Sequence, residues 1–258
     1  MTNPHSNPSF LYDDLAPYYH LLYGDWERSI QKQGDAIACL LNNHGVRAGE
    51  PVLDAACGIG TQTIGLIQHG YLVTASDISA GAIERLKNEL SGRSMQANVR
   101  VDDLRTLSNT PSESMSAILA CDNSIPHLLS DQELLQSFTN CFRCLIPGGL
   151  AVYSVRDYAA IPRVNPDVRP YGVRRQGSTR FLAVQVWEWE GDQYDLRIYL
   201  TSEAENGECS TRVMQSRYYA VSIGKLLALL QDAGFVDAQR LDDVLFQPVI
   251  IARRPLGG

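Results

Sequence analysis

Up to about residue 155 the apolar positions alternate between two rhythms, and beyond it a third takes over. An apolar run at 52–53 up to Asp54 reads as a buried parallel strand, and short, mostly apolar segments at 72–77, 99–101, 117–121 and 150–155 read as the strands that follow. Between them, apolar residues recur at helical spacing: Ile30, Ile37 and Leu41, then Ile83, Leu86 and Leu90, then Leu134, Leu135, Phe138, Phe142 and Leu145. Their starts and stops are marked. Asp25 and Ser79 can cap, Ser130-Asp131-Gln132-Glu133 is a capping box, and Gly45 and Gly70 follow helix ends. Strand and helix in alternation imply parallel pairing with right-handed crossovers.

From Arg156 to Tyr219 no amphipathic helix is legible. Residues 181–189, 194–201 and 211–219 alternate as strands, the first two joined at Gly191-Asp192, which predicts a small antiparallel insert over the mouth of a site. Ser222 then caps a helix with Leu226, Leu227, Leu229 and Leu230, stopped by Gly234, and 244–246 with 249–251 supply the last strands. The expected organisation is a leader at 1–24, a core at 25–155, the insert at 156–219 and a completing helix and strands at 220–258. At 258 residues and 45% hydrophobic, the chain suits one α/β domain with an insertion, or one domain plus a small lid. Residues 3–9, rich in Asn, Pro and Ser, read as a mobile arm. The following fifteen residues, 12–26, hold five aromatics, as a structural cover or a closing lid would.

The candidate chemistry sits where the first strand ends, in Val52-Leu53-Asp54-Ala55-Ala56-Cys57-Gly58-Ile59-Gly60-Thr61. A dinucleotide fingerprint wants a third glycine, but Thr63 stands there. Asp54 would repel a pyrophosphate and could accept hydrogen bonds from an ammonium group, so the loop suits a zwitterion. Asp77 ends the second strand, where an acid can accept both hydroxyls of a ribose, or merely begin a turn. Asp102-Asp103-Leu104 ends the third strand. Asp122 to His127 forms a polar loop on the same carboxyl edge, where ligands bind in open α/β sheets.

Net charge of −7 without a Lys/Arg run argues against nucleic acid and anionic membranes as partners. The polar first ten residues lack a signal-peptide pattern, and no stretch of about 18 apolar residues occurs, so a cytoplasmic protein is expected. Cys141 and Cys144 form a lone CxxC without a second pair or nearby histidine and are not read as a metal or redox site; the six cysteines suit reduced core thiols.

These motifs in this order resemble class I S-adenosylmethionine-dependent methyltransferases over nearly the whole chain. More narrowly, Leu22-Tyr23-Gly24-Asp25, Asn123-Ser124 with His127, Val155-Arg156-Asp157-Tyr158 and Ser216-Arg217-Tyr218-Tyr219 are similar to glycine and sarcosine N-methyltransferases. The resemblance implies a Rossmann-like sheet and S-adenosyl-L-methionine as cofactor, held by Tyr12, Arg28, Asp54, Ala56, Gly58, Gly60, Thr61, Asp77, Ile78, Asp103, Leu104 and Cys121. Asp103 is preferred to Asp102 because such enzymes often place the adenine-binding acid directly before the apolar residue. Arg28 would match an arginine that reaches the cofactor carboxylate, and Arg156 one that grips the acceptor carboxylate. Asn123 would contact the acceptor, and Tyr23, Tyr171, Tyr199 and Tyr218 would surround sulfonium and amine. His127 is a near base.

Bland readings stand beside these: Arg156 paired with Asp157, the tyrosines as core or rim, His127 capping a turn. Three features depart from the resemblance: Asp122 where glycine enzymes carry Gly, Leu104 in place of a tryptophan, and the Arg-containing segment 161–177. The expected activity is methyl transfer to a small molecule, an amino acid amine or related amine. An O- or C-methyltransferase with a pocket at Trp187 and Trp189, or a non-catalytic cofactor-binding regulator, are the alternatives, and self-association is left open.

Overall fold

In a computed structural model the chain is described from residue 8 to residue 257. The greater part of the expected mobile arm, residues 3–7, lies outside the described residues; Pro8 opens a helix, α1 (Pro8–Leu15), which leads to a 3-10 turn at Tyr19–Leu22. The core then follows as α2 (Trp26–Asn43), β1 (Pro51–Asp54), α3 (Thr61–Gln68), β2 (Leu72–Asp77), α4 (Ala80–Gly92), β3 (Asn98–Val101), β4 (Met115–Ala120), α5 (Asp131–Cys144) and β5 (Leu145–Ser154). Capping hydrogen bonds fix the helix starts as their sequences imply. Asp25 accepts from the Arg28 N–H at 3.0 Å, Ser79 from Ala82 at 3.0 Å and Ser130 from Glu133 at 3.2 Å.

The insert holds four strands: β6 (Asp167–Gln176), β7 (Thr179–Glu190), β8 (Gln193–Glu203) and β9 (Cys209–Tyr219). β6 lies in the segment where no strand was expected, because its apolar residues are diluted by Pro170, Gly172 and three arginines. The chain closes with α6 (Ile223–Asp232), β10 (Val236–Leu241) and β11 (Val249–Arg253). Here the expectation of a strand at 244–246 fails: these residues form a bend with Phe246 exposed, and the penultimate strand is β10, whose polar sequence suits a sheet edge.

The main sheet runs β10-β11-β5-β4-β1-β2-β3, parallel except for the antiparallel pairings of β11 with β5 and with β10. Chain order reverses between β1 and β4, so strand ends diverge there and leave a crevice at the carboxyl edge. Buried apolar side chains on α5 and α6 cover one face, and those of α2, α3 and α4 cover the other. Gly34 and Gly65 let α2 and α3 touch: a Cβ on either would lie 2.7 Å from the other's Cα. The second sheet, β6-β7-β8-β9, is antiparallel throughout. Its inner face packs with Leu11, Leu15 and Leu21 into a separate core, which brings the leader and the insert together over the crevice. No described helix is long and apolar enough to cross a membrane.

Candidate active site

The ends of β1, β2 and β4, the leader and the loop after β4 enclose a cavity of about 560 Å³, within the range of small-molecule sites. One end is built from the glycine loop. Ala56, Gly58 and Thr61 line it, with Gly58 in the left-handed region at φ +51°. Gly60 does not line the cavity. Its φ is +99°, and a Cβ there would come within 2.3 Å of Leu86 Cδ1, so this glycine serves helix packing behind the loop.

Asp77 lines the cavity and is held by two backbone donors, Gly58 N–H and Ser79 N–H, both at 2.9 Å. Burial pushes its carboxyl above the ordinary value, against the pull of those two hydrogen bonds. Ile78, Asp103, Leu104 and Cys121 line the same end. The neighbouring acids divide their work: Asp102 is buried and accepts the N–H groups of Asp103, Ser108 and Asn109, folding the loop, while Asp103 lines the cavity beside Arg105. Asp54 stands behind the loop, fully buried. Thr63 donates to its Oδ2 at 2.7 Å and Oδ1 has no partner, so the residue that replaces the third glycine supports the acid. Burial, reinforced by the charges of Asp77 and Asp122, raises Asp54 to about 7.

The other end is aromatic. Tyr12, Tyr19 and Tyr23 come from the leader, and His127 from the loop after β4. Tyr12 OH lies 2.9 Å from His127 Nε2 and Ser216 Oγ 3.3 Å from Nδ1, with the Tyr218 ring 4.0 Å from the imidazole centre. Burial, then the charge of Arg156, pulls His127 down to about 3, so the ring is a neutral imidazole. Tyr23 donates to Asp122 Oδ2 at 3.0 Å and accepts from Thr61 Oγ1 at 3.2 Å, tying the two ends together.

Arg156 follows β5. Its guanidinium lies 5.1 Å from the Trp187 ring centre, and among the described residues it forms no ion pair. The adjacent Asp157 pairs instead with Arg240 at 2.7 Å, which removes the simplest bland reading of Arg156. Asn123 is also placed differently from expectation. It is buried outside the lining, donating to Tyr158 OH at 2.9 Å and accepting from the Arg156 N–H at 3.0 Å, and so it braces the arginine's backbone.

Of the other residues expected around the acceptor, Arg156, Tyr171 and Tyr218 do not line the cavity, although Tyr218 packs on the lining His127, and two expected residues, Tyr199 and Arg28, lie away from it altogether. Tyr199 is exposed on the outer face of β8, because Tyr194, Leu196, Ile198 and Leu200 take the inner parity and a strand turns alternate side chains to opposite faces. Arg28 is exposed on α2 and lines a different depression with Gln31, Asp35 and His69, since Trp26 and Ile30 occupy the buried stripe. Tyr171 sits on β6 and is hydrogen-bonded to Gln185. Residues not anticipated include Tyr19, Tyr158 and Tyr194, the last stacked on Tyr218 at 5.1 Å with planes 7° apart. The alternation of β8 carried the signal for Tyr194: it shares parity with the apolar set, and Tyr199 shares that of Asp195 and Arg197.

The unpaired acids provide a test of what fits. Asp54, Asp77 and Asp122 surround the glycine-loop end and none has an ion-pair partner among the described residues, so a doubly anionic pyrophosphate is disfavoured. A ligand carrying ammonium and sulfonium charges fits. No group of three or more His, Cys, Asp or Glu suited to a metal occurs among the described residues.

Comparison with known proteins agrees with this geometry. A model described as a methyltransferase domain matches residues 52–149. The glycine/sarcosine N-methyltransferase of Parasynechococcus marenigrum (strain WH8102) is 26% identical over 134 residues, 52% of this chain and 46% of that protein. The ubiquinone biosynthesis O-methyltransferase of Coxiella burnetii is 29% identical over 106 residues, 41% of this chain and 43% of that protein. The chain thus spans about half the length of the curated relatives it matches. The crystal structure of Streptomyces venezuelae DesVI superposes with a TM-score of 0.79 at 17% identity, covering 95% of this chain and 98% of that one.

Proposed function

For a chain that carries a methyltransferase domain in a class I S-adenosylmethionine-dependent methyltransferase fold, we propose methyl transfer from S-adenosylmethionine to the amine of a small acceptor, an amino acid or related amine, that also carries an anionic group. The observation behind the acceptor is Arg156: it does not itself line the cavity, but it stands close enough to the lining residues Asp122 and His127 for its charge to act on both, and a largely buried cation without an ion-pair partner among the described residues is costly unless a ligand supplies one. A planar guanidinium holds a carboxylate bidentately, which fixes direction as well as distance.

The cofactor, when bound, supplies a methyl group already activated on sulfur. The loop at Ala56, Gly58 and Thr61 with Asp77, Asp103 and Leu104 would hold it. What the protein adds is positioning and the management of one proton. His127 is held by Tyr12 on one nitrogen and faces Ser216 on the other, which fixes the ring. Its basicity is suppressed by burial and by Arg156, and an acceptor anion on Arg156 removes the second of these. Acceptor binding therefore lifts the lesser of the two, while the larger cost, burial, remains. An aliphatic alcohol, a far weaker acid than an ammonium, would need a much stronger base than an amine does, which supports nitrogen over an alcohol oxygen as the acceptor atom.

A screen of amino acids, simple amines and phenols, followed by formation of S-adenosylhomocysteine, tests the proposal. Turnover of an amine bearing a carboxylate is expected; turnover confined to uncharged phenols would overturn it.

A further inference from the structure

We propose that Asp13 is a positioning residue for the transfer: by tying the leader helix α1 to the start of α4, it seats the neighbouring Tyr12 on His127. This rests on the part given to His127 above. Tyr12 and Asp13 are adjacent in α1, so their side chains diverge by about 100° and the helix bridges two walls of the site. On one side Tyr12 lines the cavity, with its hydroxyl 2.9 Å from His127 Nε2 and 3.4 Å from Tyr218 OH, and the Tyr12 and His127 rings meet edge-on with centres 5.3 Å apart. On the other side Asp13 Oδ1 accepts from Ser79 Oγ at 2.6 Å and from the Gly81 N–H at 2.8 Å. Ser79 is the fully buried cap of α4, and its own N–H goes to the cavity-lining Asp77.

Gly81 shows that this approach is written into the sequence. It lies in the first turn of α4, where its backbone needs no glycine and alanine is the better helix former. Yet a Cβ there would come within 3.0 Å of Asp13 Cα and 3.1 Å of the Asp13 carbonyl oxygen, so the small residue admits the leader. One turn further along α4, Arg85 donates to the carbonyls of Ala16 and Pro17 at 3.3 and 3.1 Å, satisfying the end of α1. The apolar side of α1, with Leu11 and Leu15, packs into the core of the insert, whereas His127 belongs to the loop after β4. Asp13 and Arg85 are therefore the polar ties that register the leader on the main sheet. Of the two, Asp13 adjoins Tyr12 and sets where its hydroxyl stands.

Ring-nitrogen NMR of the histidines in the whole, ligand-free protein tests this without an acceptor, the His127 signals being identified by their loss in His127→Gln. Tyr12→Phe removes the hydroxyl and should move the Nε2 signal. Asp13→Ala should move it in the same direction, and so should Gly81→Ala, which favours the helix but sets a Cβ against the leader. Asp13→Asn, whose amide oxygen can accept from the same two donors, should leave the signal at its wild-type position. With the best amine found in the screen, kcat should fall about 10- to 100-fold in Asp13→Ala, the scale of a small misplacement of a catalytic group, and the loss should shrink to about twofold in a Tyr12→Phe background. An unmoved His127 signal in folded Asp13→Ala, or an equal loss of kcat with and without the Tyr12 hydroxyl, overturns the proposal. Absence of any methylated amine sinks the amine reading, while the ring-nitrogen spectra still decide whether Asp13 seats Tyr12.

Discussion

The two ends of the cavity solve opposite problems. At the glycine-loop end, acids at the tips of adjacent parallel strands are held mainly by groups of their own loops, Asp77 by Ser79, Asp102 by Ser108 and Asp103 by Arg105, with the Gly58 N–H on Asp77 as the contact that crosses between neighbouring loops. At the aromatic end, contacts join segments far apart in the chain: Tyr12 with His127, His127 with Ser216, Tyr23 with Asp122, Asn123 with Tyr158. The first end is a motif and the second an assembly. A fold can therefore keep one cofactor and change its acceptor by replacing the leader and insert, while the strand tips stay as they are.

The assembly is broken most sharply on a single strand. Tyr194 is fully buried between Trp187 and Tyr218, and Tyr194→Ala should destabilise the protein by roughly 3–5 kcal/mol in urea unfolding. Tyr199→Ala, five residues on and facing outward, should change stability by about 0.5 kcal/mol or less and leave kcat/KM within about twofold. Loss of activity in a folded Tyr199→Ala protein would contradict the parity that excludes this residue.

The motif is broken at Asp77. Asp77→Ala removes an acid that both lines the cavity and orders Gly58 and Ser79, so cofactor affinity should fall by about a hundredfold, given hydrogen bonds to charge of about 1.5–3 kcal/mol each. Calorimetry on the folded variant decides it. Unchanged affinity would reduce Asp77 to a turn residue.

A subtler difference lies in how the ends titrate without ligand. Asp54 is raised from 3.8 to about 7, so between these values the folded protein keeps a proton that the unfolded chain has lost, and stability falls as pH rises through the window. His127 is lowered from 6.5 to about 3; there the unfolded chain binds a proton that the folded one refuses, and stability rises with pH. Asp54→Asn should make the slope of unfolding free energy between pH 4 and 7 more positive and His127→Gln should make it more negative, each by up to about 1.4 kcal/mol per pH unit. Slopes shifted in the same direction would contradict the assignment of opposite burial costs.

The same contrast explains what the sequence disclosed. The strands of the parallel sheet, the caps at Asp25, Ser79 and Ser130, and the acids at 77 and 103 are all written in adjacent residues, and the structure places them as their patterns imply. The insert was legible as antiparallel strands but not in full, because β6 alternates polar with half-exposed residues and carries Pro170. Arg28 was drawn from resemblance against its own helical phase, which turns it to solvent. Tyr199 was drawn against its strand parity. The pairing of Tyr12 with His127 and the free charge on Arg156 could not be read at all, since each depends on which distant segments close over the crevice.

The central claim is that Arg156 anchors the anionic group of the acceptor, and the most direct measurement is kcat/KM of Arg156→Lys on the best amine found in the screen, beside that amine's uncharged amide or ester. Lysine keeps the charge and loses the planar fork, so kcat/KM should fall tens- to thousands-fold, the scale of about 2–5 kcal/mol for a disrupted charged pair, with cofactor affinity nearly unchanged. The amide or ester should be a poor substrate for the wild type and should lose little further in the variant. Full activity of Arg156→Lys, or an equal loss on charged and uncharged acceptors, would contradict the account.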